Sequence, residues 1–329
     1  MIGDVVLPST TLTDWPRLRE EIRARIDASM GAAPAGIASA PAKCEELDRV
    51  EKHGLVHLRI RYHVVGDEWN EGICILPAKT PAPAVLCIHG ADAKRGKFGV
   101  IDPERPNRAY GIELARRGYV TFSIDQFGHG EALGGRPQKE VVAEFFKRYP
   151  DWSLDGRRLA EHSRAIDALA TLPFVADKNV CATKRFGAIG NSLGGRTVMY
   201  LAAFDERVAA AVSSTGISPN ATNVFRSCTY QTDLSPAMSR AIVKNGKIPW
   251  DYHEMIALVA PRALLALEPW NDTENPDVHP TFECFYRATG VYRLLGCPER
   301  LSMLVHGEGH DTPADAREFA YRWLDRFLR

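Results

Sequence analysis

The sequence lacks an excess of charge of either sign, and it lacks any long run of apolar residues. Its 41 Lys and Arg residues balance its 41 Asp and Glu residues, so the formal net charge is zero. This balance speaks against nucleic acid or an acidic membrane as a partner. No stretch approaches the roughly 18 consecutive apolar residues of a membrane-spanning helix, and the N-terminus lacks the basic and apolar regions of a signal peptide. We therefore expect a protein without a membrane partner, located in the cytoplasm.

The sequence also lacks paired cysteine motifs. Its seven cysteines are an odd number, and no two of them form a C-x-x-C motif. This pattern is typical of neither a disulfide framework nor a zinc site, and it agrees with a reducing compartment. What the chain does have is 45% hydrophobic and 25% charged residues, which is ordinary globular composition. That is enough apolar material for a large core.

The hydrophobic pattern divides the chain into a short N-terminal segment and one large α/β domain. Residues 1–55 are predicted to form a helical extension, in which the spacing of apolar residues indicates an amphipathic helix over Leu12–Met30. Residues 56–329 are predicted to form the main domain, which begins with a β-hairpin from His57–Val65 and Gly72–Leu76. Short apolar runs separated by helical patterns follow, as in a mostly parallel sheet with helices on both faces.

Six short apolar runs are the predicted parallel strands. They are Ala84–His89, Val120–Asp125, Arg185–Gly190, Val208–Ser213, Ala263–Glu268 and Leu301–His306. The connection over residues 216–255 is too long for a simple crossover between two of these strands. Insertions of this kind often cover an active site, so we expect it to act as a lid.

A G-x-S-x-G motif, residues 190–194 with the sequence GNSLG, lies directly after a predicted strand and directly before a predicted helix. Its small residues suit a serine held in a strained strand-to-helix turn, which leaves no room for bulky neighbours. The turn exposes the Ser192 hydroxyl at the positive end of a helix, where backbone N–H groups stabilise negative charge. The pattern predicts Ser192 as a nucleophile. The alternative is a glycine-rich turn that only packs or binds phosphate.

A serine nucleophile needs a base, and His310 is the candidate. It lies in the loop between the last predicted strand and the last helix, at the same sheet edge as Ser192. His306 is an alternative, although it lies at the end of the strand itself. The two histidines form an H-x-x-x-H pair, but no third ligand lies at motif spacing and Glu308 does not make H-E-x-x-H. We therefore expect no metal.

The histidine in turn needs a carboxylate that fixes its tautomer. Chain order places this acid after the strand Ala263–Glu268, and Asp272 follows several residues beyond the strand end. We predict Asp272, because a side chain at that distance can turn back towards the histidine loop. Glu268, Glu274 and Asp277 remain alternatives, and each would be a solvated surface carboxylate if it has no role.

The oxyanion formed in acyl transfer needs two N–H donors. The predicted sources are Leu193, directly after the nucleophile, and Ala91, in the turn after the first parallel strand. His89, just before that turn, is expected to close the strand end through hydrogen bonds. Six side chains could line a substrate pocket or could equally be packing residues. They are Phe127, His129, Arg226, Tyr230, Trp250 and Trp270.

Together these features resemble the α/β-hydrolase superfamily. The resemblance rests on IHG after one strand, SIDQFGHG after the next, GNSLGG at the serine turn and HGEGH near the C-terminus, and it covers about residues 56–329. The surrounding segments are similar to the dienelactone hydrolase-like and acetyl xylan esterase-like branch. The resemblance implies an α/β-hydrolase fold with Ser192, Asp272 and His310 as the triad, and with the two predicted oxyanion donors. Dienelactone hydrolases proper use cysteine as nucleophile, so the serine argues against that lactone as substrate.

We therefore predict a cofactor-independent serine esterase that acts on a small-molecule ester, such as an acylated carbohydrate. The same triad also serves peptidases, amidases and carbon–carbon bond hydrolases. A binding protein with an inactive site on this fold is the alternative outside enzymes. A homodimer is compatible with the sequence, which does not show which apolar residues are exposed.

Overall fold

The protein is built around one mixed β-sheet. The computed structural model describes residues 3–37, 42–105, 107–176, 185–223 and 248–329. Its strands are β1 Cys44–Lys52, β2 Leu55–Val65, β3 Glu68–Leu76, β4 Ala84–Ile88, β5 Val120–Ile124, β6 Phe186–Asn191, β7 Val208–Ser214, β8 Ala263–Pro269 and β9 Leu301–His306. The α-helices in the same ranges are α1 Trp15–Met30, α2 Tyr110–Arg116, α3 Gln138–Arg148, α4 Leu154–Ala170, α5 Leu193–Phe204, α6 Tyr252–Val259, α7 His279–Leu294 and α8 Ala314–Leu328. The strand order across the sheet is β1-β2-β3-β5-β4-β6-β7-β8-β9.

Strands β1 to β3 form the antiparallel side of the sheet. β2 and β3 pair as the predicted hairpin, with Val56 opposite Leu76 and Arg61 opposite Glu71. β3 joins the other strands through an antiparallel pairing with β5. β1 is an edge strand that the sequence pattern does not predict, because its residues CEELDRVEK are exposed on both faces and show no apolar alternation.

The six predicted apolar runs form the parallel side of the sheet, from β5 and β4 through β6, β7, β8 and β9. Their boundaries agree with the sequence pattern to within one residue at each end. The predicted α/β fold with a mostly parallel sheet is therefore confirmed. The carboxyl ends of parallel strands lie at one edge of a sheet, so the loops after β4, β6, β8 and β9 meet there.

Helices cover both faces of the sheet, and each face has its own apolar core. On one face the core includes Ile26 of α1, Ile166 of α4 and Met199 of α5. On the other face it includes Ile112 of α2 and Leu324 of α8. All five side chains are fully buried. The sheet edge that carries the loops is therefore held between two packed layers of helices.

The first helix is part of the main core and not a separate extension. Ile26 of α1 is fully buried in the larger core, and Trp250 Nε1 donates a hydrogen bond of 2.9 Å to Ser29 Oγ. Arg25 forms an ion pair with Glu254 of α6. Residues 1–55, predicted as a helical extension, thus contain α1, which packs into the domain, and β1, with which the sheet begins.

Two other predictions fall partly outside the described residues. The predicted lid over residues 216–255 is described only at its two ends, so its role as a lid stays a prediction. Cys44, Cys74, Cys87, Cys284 and Cys297 are free thiols, whereas Cys181 and Cys228 lie outside the described ranges. Among the helices that the structure describes, none is long and apolar enough to cross a membrane.

Candidate active site

Ser192 occupies the turn between β6 and α5, with φ 58° and ψ −122°. L-residues rarely adopt this conformation, so the surrounding bonds must hold it in place. The Ser192 N–H donates to the Ser214 carbonyl oxygen at 2.8 Å and to Thr215 Oγ1 at 3.0 Å. A Cβ on Gly194 would lie 2.2 Å from the Ile88 carbonyl oxygen, so this position needs glycine. The structure thus contains the strained strand-to-helix turn that the motif predicts.

His310 and Asp272 form a hydrogen-bonded pair. The His310 ring Nδ1 lies 2.9 Å from Asp272 Oδ1 and 2.8 Å from Oδ2. Burial alone would raise the pKa of Asp272, but the bonds from His310 and from the backbone of Glu274 outweigh it and hold the pKa below its usual value. Asp272 therefore stays ionised and fixes the tautomer with the proton on Nδ1. The His310 Nε2 atom is left for proton transfer.

Ser192 and His310 line the same cavity, which has a volume of about 1010 Å³. The two side chains are not hydrogen-bonded to each other in the part of the chain that the structure describes. Nucleophile and base pairs are often looser without substrate than in the reacting complex. The cavity thus brings the nucleophile and base candidates to one surface, and Asp272 lies behind the base.

The rival acids and the rival base do not take the places of Asp272 and His310 in the described structure. His306 ends β9 and does not line the cavity, and its Nδ1 accepts a bond of 3.3 Å from the Glu308 N–H. Glu268 is buried within β8, and Asp277 caps the backbone of His279 at 3.0 Å. Among the four acids considered from the sequence, only Asp272 contacts His310 in the described structure, although Glu274 also lines the cavity.

The two predicted oxyanion donors also border the cavity. Ala91 follows β4, and Leu193 is the first residue of α5. The first N–H groups of a helix have no partner within the helix, so the Leu193 amide is available to a ligand. In the described ranges, the backbone N–H of Ala91 has no hydrogen-bond acceptor. The arrangement can bind a negatively charged oxygen next to the Ser192 hydroxyl.

His89 closes the end of β4, as the sequence suggests. Its Nδ1–H donates to the Gly90 carbonyl oxygen at 2.7 Å, and its Nε2 accepts from the Gln126 N–H at 3.0 Å. Burial lowers the pKa of His89 to about 3, so the ring is neutral. The Gln126 side chain donates to the His89 carbonyl oxygen and accepts from Thr197 of α5. Gln126, which no sequence pattern singles out, thus joins three elements beneath the site.

The predicted pocket residues have mixed outcomes. Phe127 and His129 line the cavity. Trp270 does not line it: its backbone N–H donates to the His306 carbonyl oxygen beside β9, and the residue is 62% exposed. Trp250 is buried against the first helix and is a packing residue. Arg226 and Tyr230 lie outside the described residues.

The loop that carries His310 is bonded on two sides. The Arg108 guanidinium donates to the His310 carbonyl oxygen at 3.0 Å and forms an ion pair with Asp311. On the other side, Thr312 Oγ1 lies 2.9 Å from Ser214 Oγ and 3.3 Å from Asn191 Nδ2. These contacts join the histidine loop to the residues around the nucleophile.

Positive charge predominates in the cavity wall. Two acidic residues, Asp92 and Glu274, line it. The basic residues that line it are Lys94, Arg105, Arg108, Lys139, Arg158 and Arg196. The sequence does not reveal them, since single charged residues in loops are usually solvated. They favour a substrate with oxygen-rich or anionic groups.

A possible metal cluster in the described residues lies away from this cavity. Ligand atoms of Asp251, His253 and Cys284 lie within 4.8 Å of one another. The Asp251 carboxylate caps α6 by accepting the Tyr252 N–H, and it also accepts the backbone N–H groups of Asn220 and Ala221. Burial raises the pKa of the Cys284 thiol, which therefore stays protonated and is a poor ligand. These contacts account for the cluster as helix capping and packing.

Comparison with known proteins gives a consistent picture. The curated "Putative hydrolase YtaP" of Bacillus subtilis is 26% identical over 274 residues, which are 80% of this chain and 85% of that protein. A "4-O-methyl-glucuronoyl methylesterase 1" of Wolfiporia cocos is 29% identical over 187 residues, 50% of this chain and only 44% of that protein. A glucuronoyl esterase structure from Solibacter usitatus is 18% identical with a TM-score of 0.77, and the match covers 100% of this chain and 98% of the other.

A family model described as "Glucuronyl esterase, fungi" matches residues 115–296, more than half of the chain. The match contains the serine turn and the segment with Asp272, whereas Ala91 and His310 lie outside it. The chain therefore belongs to this glucuronyl esterase family, and it is a carboxylic ester hydrolase.

Proposed function

We propose that the protein hydrolyses esters of sugar acids, with Ser192 as nucleophile, His310 as base and Asp272 as the group that orients His310. The observation that carries the proposal is the Asp272–His310 hydrogen bond beside the cavity that Ser192 also lines. The strained Ser192 backbone supports it, because such strain persists where the fold needs the side chain in one position.

In the first step, His310 Nε2 takes the Ser192 proton as the Ser192 oxygen bonds to the ester carbonyl carbon. The N–H groups of Ala91 and Leu193 stabilise the resulting oxyanion. When the oxyanion collapses, the bond from carbon to the alcohol oxygen breaks, and the proton held by His310 passes to that oxygen. The alcohol leaves, and the sugar acid stays bound to Ser192 as an ester.

In the second step, water attacks the acyl-enzyme. His310 takes a proton from the water, the new carbon–oxygen bond forms, and the bond to Ser192 breaks with the proton returning to the serine. The ionised Asp272 stabilises the imidazolium ring in both steps. The products are a carboxylic acid and free enzyme, and no cofactor is consumed.

The substrate class follows from the family and from the cavity. The fungal relatives are named methylesterases of 4-O-methyl-glucuronoyl groups, so in their substrates the sugar supplies the acid of the ester. In an acylated carbohydrate the sugar supplies the alcohol instead. The cavity lining has more basic than acidic residues, which suits an acidic sugar better than a neutral one, because hydrolysis then releases a carboxylate on the sugar itself.

The first prediction tests the nucleophile and base. Ser192→Ala and His310→Ala should each lower kcat for a glucuronic acid methyl ester by about 10⁴-fold or more, since either change removes the activated nucleophile. His306→Ala is the matched control and should keep most activity. Ser192 should also be the residue labelled by a fluorophosphonate, as mass mapping would show.

Two results would contradict the proposal. One is a folded Ser192→Ala protein, checked by circular dichroism, that keeps full turnover. The other is activity on amides, β-diketones or acetylated sugars together with none on uronic acid esters. The second result would leave the serine mechanism intact and would change the substrate class.

A further inference from the structure

One wall of the cavity is formed by the segment between β4 and α2. This segment contributes Lys94, Arg105 and Arg108 to the cavity lining, and Asp92 is the acidic residue that it contributes there. Arg105 and Arg108 also line a recess of about 210 Å³ together with Asn107 and Asp311. We call Lys94, Arg105 and Arg108 the basic wall.

The carboxylates near the basic wall do not balance its charge. Asp92 is shared by two guanidinium groups, Arg105 at 3.2 Å and Arg95 at 3.4 Å. Arg108 pairs with Asp311. Lys94 is exposed and has no ion-pair partner in the part of the chain that the structure describes. In these ion pairs, three guanidinium groups share two carboxylates and Lys94 adds a further positive charge, so the pairs leave an excess of positive charge beside the cavity.

The position of Arg108 indicates which part of the substrate meets this wall. Arg108 donates to the His310 carbonyl oxygen at 3.0 Å, so the basic wall adjoins the histidine loop. In ester hydrolysis the histidine gives its proton to the leaving alcohol, and it must therefore lie beside the alcohol oxygen. An alcohol that leaves beside His310 would therefore lie next to the basic wall.

The cavity has room for a substantial alcohol. Its volume of about 1010 Å³ is at the upper end of the range for small-molecule sites, roughly 300–1,000 Å³. A methyl group would leave most of this space unfilled. Arginine binds carboxylates through two parallel N–H bonds, so a carboxylate on the alcohol suits the Arg105 guanidinium.

We propose that the preferred substrate is a sugar acid ester whose alcohol part carries a carboxylate, for example a hydroxyl group of a second acidic sugar. Arg105 binds that carboxylate, and Lys94 at the rim attracts it. The inference deepens the proposed function and rests on it. It assigns the basic wall to recognition of the alcohol and leaves the triad chemistry unchanged.

The test compares two glucuronoyl esters with the same alcohol skeleton, one bearing a carboxylate and the other the neutral carboxamide. We expect kcat/KM to be at least about fivefold higher for the carboxylate ester, and the preference to decrease as salt is raised from 50 to 500 mM, roughly as charge screening requires. Arg105→Gln and Lys94→Gln should each lower kcat/KM for the carboxylate ester more than kcat/KM for the carboxamide ester, so that the preference falls. Lys147→Gln makes the same charge change on α3 outside the cavity, and it should keep the preference.

Equal kcat/KM for the two esters would overturn the inference. A preference for the carboxylate ester that remains in both Arg105→Gln and Lys94→Gln would overturn it too. So would loss of the preference in Lys147→Gln. The carboxamide ester separates this failure from failure of the proposed function. If the wild-type protein cleaves the carboxamide ester without any preference, only the inference fails. If it cleaves neither glucuronoyl ester but cleaves an acetylated sugar, the proposed function fails and the inference fails with it.

Discussion

At the scale of single residues, three side chains fix the distance between the nucleophile and the base candidates. Thr312 follows His310 by two positions, and its hydroxyl lies 2.9 Å from Ser214 Oγ and 3.3 Å from Asn191 Nδ2. Asn191 directly precedes Ser192. The Ser192 turn and the His310 loop are therefore joined by side-chain hydrogen bonds as well as by the sheet.

Replacing the Thr312 hydroxyl tests this connection. Thr312→Val keeps the shape but removes the bonds to Ser214 and Asn191, and we expect kcat to fall by up to about tenfold with KM within twofold of the wild type. Thr312→Ser keeps the hydroxyl and should restore most of the activity. Steady-state kinetics on one ester measures both values. A valine variant with wild-type kcat would show that the bonds do not position the histidine.

The sequence identified site residues to the extent that a local pattern surrounds them. Ser192 has a motif with strand and helix on either side, and His310 has a fixed place after the last strand. Asp272 was one of four acids, because loop geometry decides which carboxylate reaches the ring. Arg108 had no signal at all, since its partners, the His310 carbonyl oxygen and Asp311, lie more than 200 residues away along the chain.

At the scale of elements, the apolar strands were predictable and the edge strand was not. Strands β4 to β8 are buried nearly throughout, so the sequence of each strand is a short run of mostly apolar residues. β1 pairs only with β2 and exposes its side chains, so its sequence carries no burial signal. Its charged residues also protect the open edge against pairing with another chain.

The first helix offers a test of its place in the core. Ile26 is completely buried, so Ile26→Ala should lower the free energy of unfolding by about 2–5 kcal/mol through lost burial and the cavity left behind. Leu12 precedes the helix and is 60% exposed, so Leu12→Ala should change it by less than about 0.5 kcal/mol. Urea denaturation followed by circular dichroism compares the two. Equal, small effects would mean that the helix is a dispensable extension after all.

At the scale of the whole molecule, buried neutral histidines link stability to pH. Burial lowers the pKa of His89 to about 3 and that of His162 to about 4. Both values lie below 6.5, the ordinary value for histidine. As the pH falls from 6.5 towards 4, the unfolded chain therefore binds protons that the folded chain does not.

We expect the free energy of unfolding to fall with decreasing pH across this window, by up to about 1.4 kcal/mol per pH unit for each ring. Urea denaturation at pH 7, 5.5 and 4.5 measures the dependence. His162→Gln removes one of the two rings and should weaken the dependence of the free energy of unfolding on pH. His279→Gln changes an exposed histidine and should leave this dependence as it is in the wild type. Stability that is constant or rises on acidification would contradict the expectation.

Trp250 and Ser29, which are hydrogen-bonded to each other, lie 221 residues apart in the chain, so the ribosome releases them at different times. The ribosome releases the first helix early, but the segment that covers it is translated much later. During that interval the first helix lacks its native contacts with α6, and incompletely packed nascent chains are prone to misassociation. The first helix therefore completes its packing only after the segment with Trp250 has been translated.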